Sequence, residues 1–234
     1  MKKLRLRFLG EEVLRKKARR IEKITPSTRE TVEAMWEVMY DSNGIGLAAP
    51  QVGLSQRIIL ADAREPGEKI ALINPEITWV SEEHSGMREG CLSIPGVEGE
   101  VFRPEKIRAT ARTLDGKQVD LEAEGLFARV LQHEIDHLNG ILFIDRVSPA
   151  ELERLQGALA RPTQLATIAP HELLDVAEAE FERDRPAQPQ AEDLPAAQAA
   201  PAAAPSAAAP PRRLDDLTRL FEAWAAGPGD RARP

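Results

Sequence analysis

The chain has 234 residues, 42% of them hydrophobic and 29% charged, enough for one large or two small domains. Its net charge of −7 leaves no strong basic footprint for nucleic acid, and its single cysteine excludes an internal disulfide framework. No apolar run reaches the ~20 residues of a membrane-crossing helix, and Arg5, Arg7, Glu11 and Glu12 interrupt any leader-like apolar core. These features predict a cytoplasmic protein with a reduced thiol.

The elements follow in chain order. Lys2 to Lys23 is locally basic and reads as a solvated helix face. Ser27-Thr28-Arg29-Glu30 has the form of a capping box, and Val32, Met35, Trp36 and Met39 continue at helical spacing to a stop near Asn43-Gly44. Strand-like runs come next at Arg57–Ala61, Ile70–Leu72 and Thr78–Val80. Lys106–Leu114 and Gln118–Glu122 flank Asp115-Gly116, a strong hairpin signal. Gly125 to Asn139 reads as a helix that buries Leu126, Val130, Leu131, Ile135 and Leu138, with Gly140 ending it. Ser148 to Ala160 reads as an exposed helix. Most strands precede the Gly125–Asn139 helix, so the expected fold is α+β, with antiparallel β-sheets packed around that central helix. Composition shifts after about residue 164. Residues 165–234 form an Ala/Pro-rich tail, low in complexity from Gln188 to Pro211 and expected to be disordered, and Leu214, Leu217, Phe221 and Trp224 suggest a short amphipathic helix at 212–226. Twelve acidic and seven basic residues after residue 164 give the tail most of the net charge.

The Gly125–Asn139 helix contains His133-Glu134-Ile135-Asp136-His137. Two histidines at i and i+4 share a face, so both rings can reach one cation, and the intervening glutamate can take a proton from a water held there. Leu126, Val130, His133 and His137 form one stripe, which sets the pair in an apolar wall, whereas an exposed histidine pair would not share it. The third ligand decides the chemistry. The elongated zinc-protease motif needs a histidine where Phe143 stands, and no methionine lies downstream. Glu151 and Glu153 could complete a thermolysin-like site, but they fall in the exposed helix. Cys91, in Glu89-Gly90-Cys91-Leu92-Ser93-Ile94-Pro95-Gly96, is the other candidate, although a lone thiol is commonly just a small buried residue. Its glycines and proline mark a shaped loop or edge strand. A thiolate with two imidazoles would leave a fourth position open for water, as catalytic sites do. A last cluster, Gly44-Ile45-Gly46-Leu47-Ala48-Ala49-Pro50-Gln51-Val52-Gly53, suits backbone packed closely against a site, or simply a turn between helix and strand. Gln51 is its one side chain with hydrogen-bonding reach.

Gly44 to Gln51, Glu89 to Ser93 and Gln132 to His137 together resemble the three signature segments of the peptide deformylases, in order and with similar spacing. The resemblance covers about residues 1 to 160. It implies hydrolytic removal of the formyl group from the N-terminal formyl-methionine of newly synthesised proteins. By motif match, Cys91, His133 and His137 would bind one divalent metal ion, Fe2+ by family habit, with Zn2+ or Ni2+ able to replace it. Glu134 would be the general base and then the acid. The Gln51 amide and the Leu92 backbone N–H would stabilise the oxyanion. Gly46 would hydrogen-bond the bound peptide, and Ile45, Leu126, Arg129 and Val130 would border the methionine pocket. Glu89, with Arg103 as its partner, would stand behind the metal ligands. Residues 1–164 would then be the catalytic domain. The implied partners are nascent formyl-methionyl polypeptides and, for the tail, the ribosome or another docking protein, with no membrane and no direct nucleic-acid binding. The chain departs from the family pattern at Leu9-Gly10, at Gly96-Val97-Glu98-Gly99 and at Arg129, where the family is commonly apolar. These departures bear on substrate preference more than on the reaction. A zinc endoprotease with a downstream ligand and a non-catalytic metal-binding protein are the alternatives.

Overall fold

The structure is a computed structural model and describes residues 3–65 and 69–159. The tail expected at 165–234, with its helix at 212–226, lies outside the described residues. Among the described residues no helix is long and apolar enough to cross a membrane.

The first long helix, α1 (Pro26–Asp41), buries Val32, Met35, Trp36 and Met39 as their spacing predicts. Its cap sits two residues earlier than Ser27. The Thr25 and Thr28 side chains each accept from the other's backbone N–H, at 3.3 and 3.1 Å. Pro26 explains the shift, because a residue without an N–H and with φ already fixed belongs at the first helical position, which makes Thr25 the cap.

The strands are β1 (Gly46–Ala48), β2 (Ile58–Asp62), β3 (Lys69–Val80), β4 (His84–Cys91), β5 (Ile94–Pro104), β6 (Lys106–Arg112) and β7 (Gln118–Glu124). Five of them form an antiparallel sheet in the order β1-β2-β3-β6-β7, while β4 and β5 pair as a separate hairpin. The two runs expected at Ile70–Leu72 and Thr78–Val80 belong to the single strand β3. The sequence does carry a break there. Pro75 cannot donate to the ladder, Asn74 has a left-handed φ of 53°, and the register shifts between Ile73 and Glu76. The Asn74 side chain replaces the lost pairing by bonding both the N–H and the carbonyl of Ile21, each at 2.8 Å. β6 and β7 join across Asp115-Gly116 as predicted, and their alternating burial gives the sheet one inner face.

Helix α2 (Gly125–Leu138) is buried from Phe127 to Leu138. Its apolar side packs on Ile59, Ala61, Leu72, Ala109 and Leu121 of the five-stranded sheet. Gly140, at φ 76°, closes it: the Gly140 N–H bonds His137 O at 3.2 Å and the Ile141 N–H bonds Asp136 O at 3.0 Å. A Cβ here would lie 2.6 Å from the Arg15 carbonyl, so glycine is required twice over. Helix α3 (Pro149–Leu159) packs Leu155 with Phe143, Ile94, Val97 and Val101 in a small core under the hairpin. The architecture is α+β, with α2 presenting its histidines where sheet, hairpin and the Gly44–Gln51 segment meet.

Candidate metal centre

Cys91 is the last residue of β4, just before the Leu92-Ser93 turn that leads into β5. His133 and His137 lie one turn apart on α2, with ring centroids 5.0 Å apart. The potential ligand atoms of the three residues all lie within 4.8 Å of one another, and among the described residues this is the one such group. Cys91 Sγ is 3.3 Å from His137 Nε2. The Ser93 N–H and the Gln51 amide also point at the sulfur, at 3.4 and 3.5 Å. Glu151, one of the two downstream alternatives, instead accepts from the Glu100 N–H and from Arg154.

Behind the ligands lies a buried chain of alternating charge. Glu89 Oε2 meets His133 Nδ1 at 3.0 Å, so the other ring nitrogen, Nε2, is the one that can face a cation. Arg103 donates to both Glu89 oxygens, at 2.6 and 2.9 Å, and to Asp136 at 2.8 Å, and Arg146 closes on Asp136 from the surface. Burial alone would raise the Glu89 carboxyl, but the His133 and Arg103 hydrogen bonds outweigh it and hold its pKa at about 2. The Glu89–Arg103 pairing expected from the sequence is therefore present. Arg129, expected at the border of the methionine pocket, has its guanidinium buried against Glu89, Ser85 and Val101. A pocket role for that charged group does not match this placement, because its donors are taken up under the hairpin.

The donor set fits a cation on three observations. Burial opposes charge on His133, yet its hydrogen bonds to Cys91 and Glu89 raise its pKa to about 10, so the thiol and the carboxylate favour positive charge at this ring. Burial and the neighbouring His133 push His137 well below its ordinary value, which keeps that imidazole available as a neutral ligand. Glu134 Oε2 is buried with no hydrogen-bond partner among the described residues, so it is open to a water or substrate. Burial raises the Glu134 carboxyl to about 7, the range a general base needs near neutral pH.

Gln51 is 1% exposed. Its side-chain carbonyl accepts from the Ala48 N–H at 2.7 Å, which turns its amide NH2 toward the cysteine. Gly46 faces Glu134 and Val130, and Ile45 packs on the main core. Leu92 follows Cys91 in the turn and touches Gly44, whereas Leu126 is 42% exposed at the start of α2. The structure thus gathers Gly46, Gln51, Cys91, Val130, His133, Glu134 and His137. Sequence reasoning missed three contributors: Asp136 and Arg146 in the charge chain, and Phe143, whose ring stacks on His133 at 6.4 Å. A charged residue within the buried run of α2 was the available signal for Asp136. None marked Phe143.

Fold and site define the class: a hydrolase built around a helix-borne His-Glu-x-x-His and a cysteine from an upstream hairpin. The polypeptide deformylase family model matches residues 4–153. A peptide deformylase of Halothermothrix orenii is 51% identical over 144 residues, covering 62% of this chain and 93% of that protein. Among solved structures, a Synechococcus elongatus peptide deformylase in complex with actinonin is similar at TM-score 0.62 and 40% identity, covering 72% of this chain and 88% of that one. The Thermotoga maritima peptide deformylase is similar at TM-score 0.61 and 44% identity, covering 64% of this chain and 100% of that one. The chain belongs to the polypeptide deformylase family, hydrolases that act on the formyl-peptide amide.

Proposed function

We propose that this chain removes the formyl group from formyl-methionine at the N-termini of newly synthesised polypeptides in the cytoplasm, and that Cys91, His133 and His137 hold the one divalent cation it needs. Fe2+ is the preferred ion, with Zn2+ or Ni2+ accepted by the same donors. The observation that carries the proposal is the convergence of one thiol and two imidazoles within 4.8 Å, beside a buried carboxyl poised at about pH 7. A cation held by those donors lowers the pKa of a water and makes hydroxide available near neutral pH.

The remaining work falls to the chain's own residues. Glu134 takes the proton from the water. Attack at the formyl carbon places negative charge on the formyl oxygen, where the Gln51 amide and the Leu92 backbone N–H meet it. The carbon–nitrogen bond then breaks, and Glu134 returns its proton to the leaving amine, releasing formate. The Gly46 backbone aligns the peptide, and Ile45, Val130 and Leu126 receive the methionine side chain. The tail after residue 164 would serve docking to the ribosome or another partner.

The test is formate release from formyl-Met-Ala-Ser under anaerobic conditions with ferrous iron, comparing the full chain with Cys91→Ser. Turnover by the wild type and its loss in the variant are expected. Cleavage of casein without formate release would make the chain an endoprotease instead.

A further inference from the structure

Arg129 is a buried arginine beside the site to which the mechanism gives no task. Arg129 lies on α2 one turn before His133 and is 4% exposed. Its Nη1 donates to Glu89 Oε1 at 2.7 Å and to the Val101 carbonyl at 3.0 Å, and its Nη2 donates to the Ser85 carbonyl at 2.8 Å and to Ser85 Oγ at 3.1 Å. These partners lie on both strands of the β4–β5 hairpin, and the donor belongs to the helix that carries both histidines. Burying a guanidinium is costly unless its donors are met, and a residue retained for packing alone would be apolar. The planar fork meets four acceptors at once, one more than the three donors of a lysine ammonium could meet.

Glu89 is where that grip reaches the site. Its Oε1 is shared by Arg129 and Arg103, and its Oε2 by Arg103 and His133. With Arg129 removed, Arg103 alone would restrain the carboxylate, and the His133 ring would lose a fixed support. Ser85 and Glu89 lie four residues apart on β4, the strand that ends in Cys91. Holding both therefore sets where that strand delivers its thiol.

We propose that Arg129 is a positioning residue for the metal centre: through Glu89 it fixes the ring of His133, and through Ser85 and Val101 it holds the hairpin bearing Cys91 against the helix bearing the histidines. This rests on the metal centre proposed above.

The test uses the full chain, with Arg129→Met to keep the aliphatic stem and Arg129→Lys to keep the charge without the fork. Each is loaded with Co2+, and the ion's dissociation constant, its visible absorption spectrum, and kcat and KM on formyl-Met-Ala-Ser are measured. Arg129→Met is expected to bind Co2+ about 10–100-fold more weakly, with an altered spectrum and a fall in kcat that exceeds any change in KM. Arg129→Lys should recover part of the affinity. In a Glu89→Gln background the Arg129→Met effect on affinity should shrink, because much of it passes through Glu89. A lowered Tm with wild-type Co2+ affinity and spectrum would reduce Arg129 to a structural residue, and full additivity with Glu89→Gln would remove the route through Glu89. A wild type that takes up no Co2+ would overturn the metal centre itself, and this proposal with it. If Arg129→Met does not fold, Arg129→Gln and Arg129→Lys read out the same quantities.

Discussion

Glu134 and Gly46 face each other so closely that a Cβ on Gly46 would overlap Glu134 Oε1 and lie 2.9 Å from Val130 Cγ1. Gly46→Ala should therefore move the Glu134 carboxylate, whose end can swing aside, and press on the stiffer, buried Val130. A displacement near 1 Å can cost ~10²-fold in rate, so kcat is expected to fall by that order, with a lowered thermal midpoint from the Val130 contact. Glu134→Ala should retain the metal and lose ~10²–10⁴ in kcat; near-normal turnover by a metal-replete variant would remove Glu134 from its role. The three candidate ligands could be singled out from the sequence because the i, i+4 spacing and the lone cysteine in a glycine-rich segment are local signals. Arg129 was legible only as an oddity. Its partners Ser85, Glu89 and Val101 are remote in sequence, and nothing in the α2 pattern says where a long side chain ends.

Between elements, α1 and β2 meet at a polar contact beside the Gly44–Gly46 segment. Tyr40 donates its hydroxyl to Asp62 at 2.7 Å, and the Asp62 N–H bonds the Ile45 carbonyl at 2.8 Å. Arg64 adds a bond to the Gly44 carbonyl at 3.1 Å. Burial first, and then the Asp62 carboxylate, raise the Tyr40 pKa above its ordinary 10.0. A raised acid favours the folded state with its proton on, so this contribution is complete below pH 10.0 and is lost as pH climbs through the folded-state value. Alkaline unfolding should accordingly be less steep in Tyr40→Phe than in the wild type, as followed by circular dichroism. Periodicity revealed the β6–β7 hairpin because each strand buries one regular face, and α2 because its apolar stripe is regular although the helix is buried all round from Phe127 on. It failed for β4, whose residues His84-Ser85-Gly86-Met87-Arg88-Glu89-Gly90 offer no apolar alternation, because that strand meets α2 through the polar Glu89–Arg129 and Ser85–Arg129 contacts.

For the whole molecule, an α+β class followed from strand signals that mostly precede the motif helix. The separation of one hairpin from the five-stranded sheet did not follow, because pairing partners are chosen by tertiary fit. Residues 4–153 carry the family match, and the described core closes with Leu155 of α3. Deletion after residue 165 is expected to leave hydrolysis of a short formyl-peptide at its wild-type rate; abolished activity would make the tail part of the catalytic unit. The placement of Cys91 on a hairpin and of both histidines on a helix has a thermodynamic consequence. Those donors converge only in the folded chain, so an ion held by all three acts as a staple whose free concentration enters the stability by mass action. At a free concentration ~100 times its dissociation constant, such a ligand adds about 2.7 kcal/mol. Scarcity of the metal would then act twice, silencing the enzyme and enlarging the unfolded fraction on which cellular proteases feed.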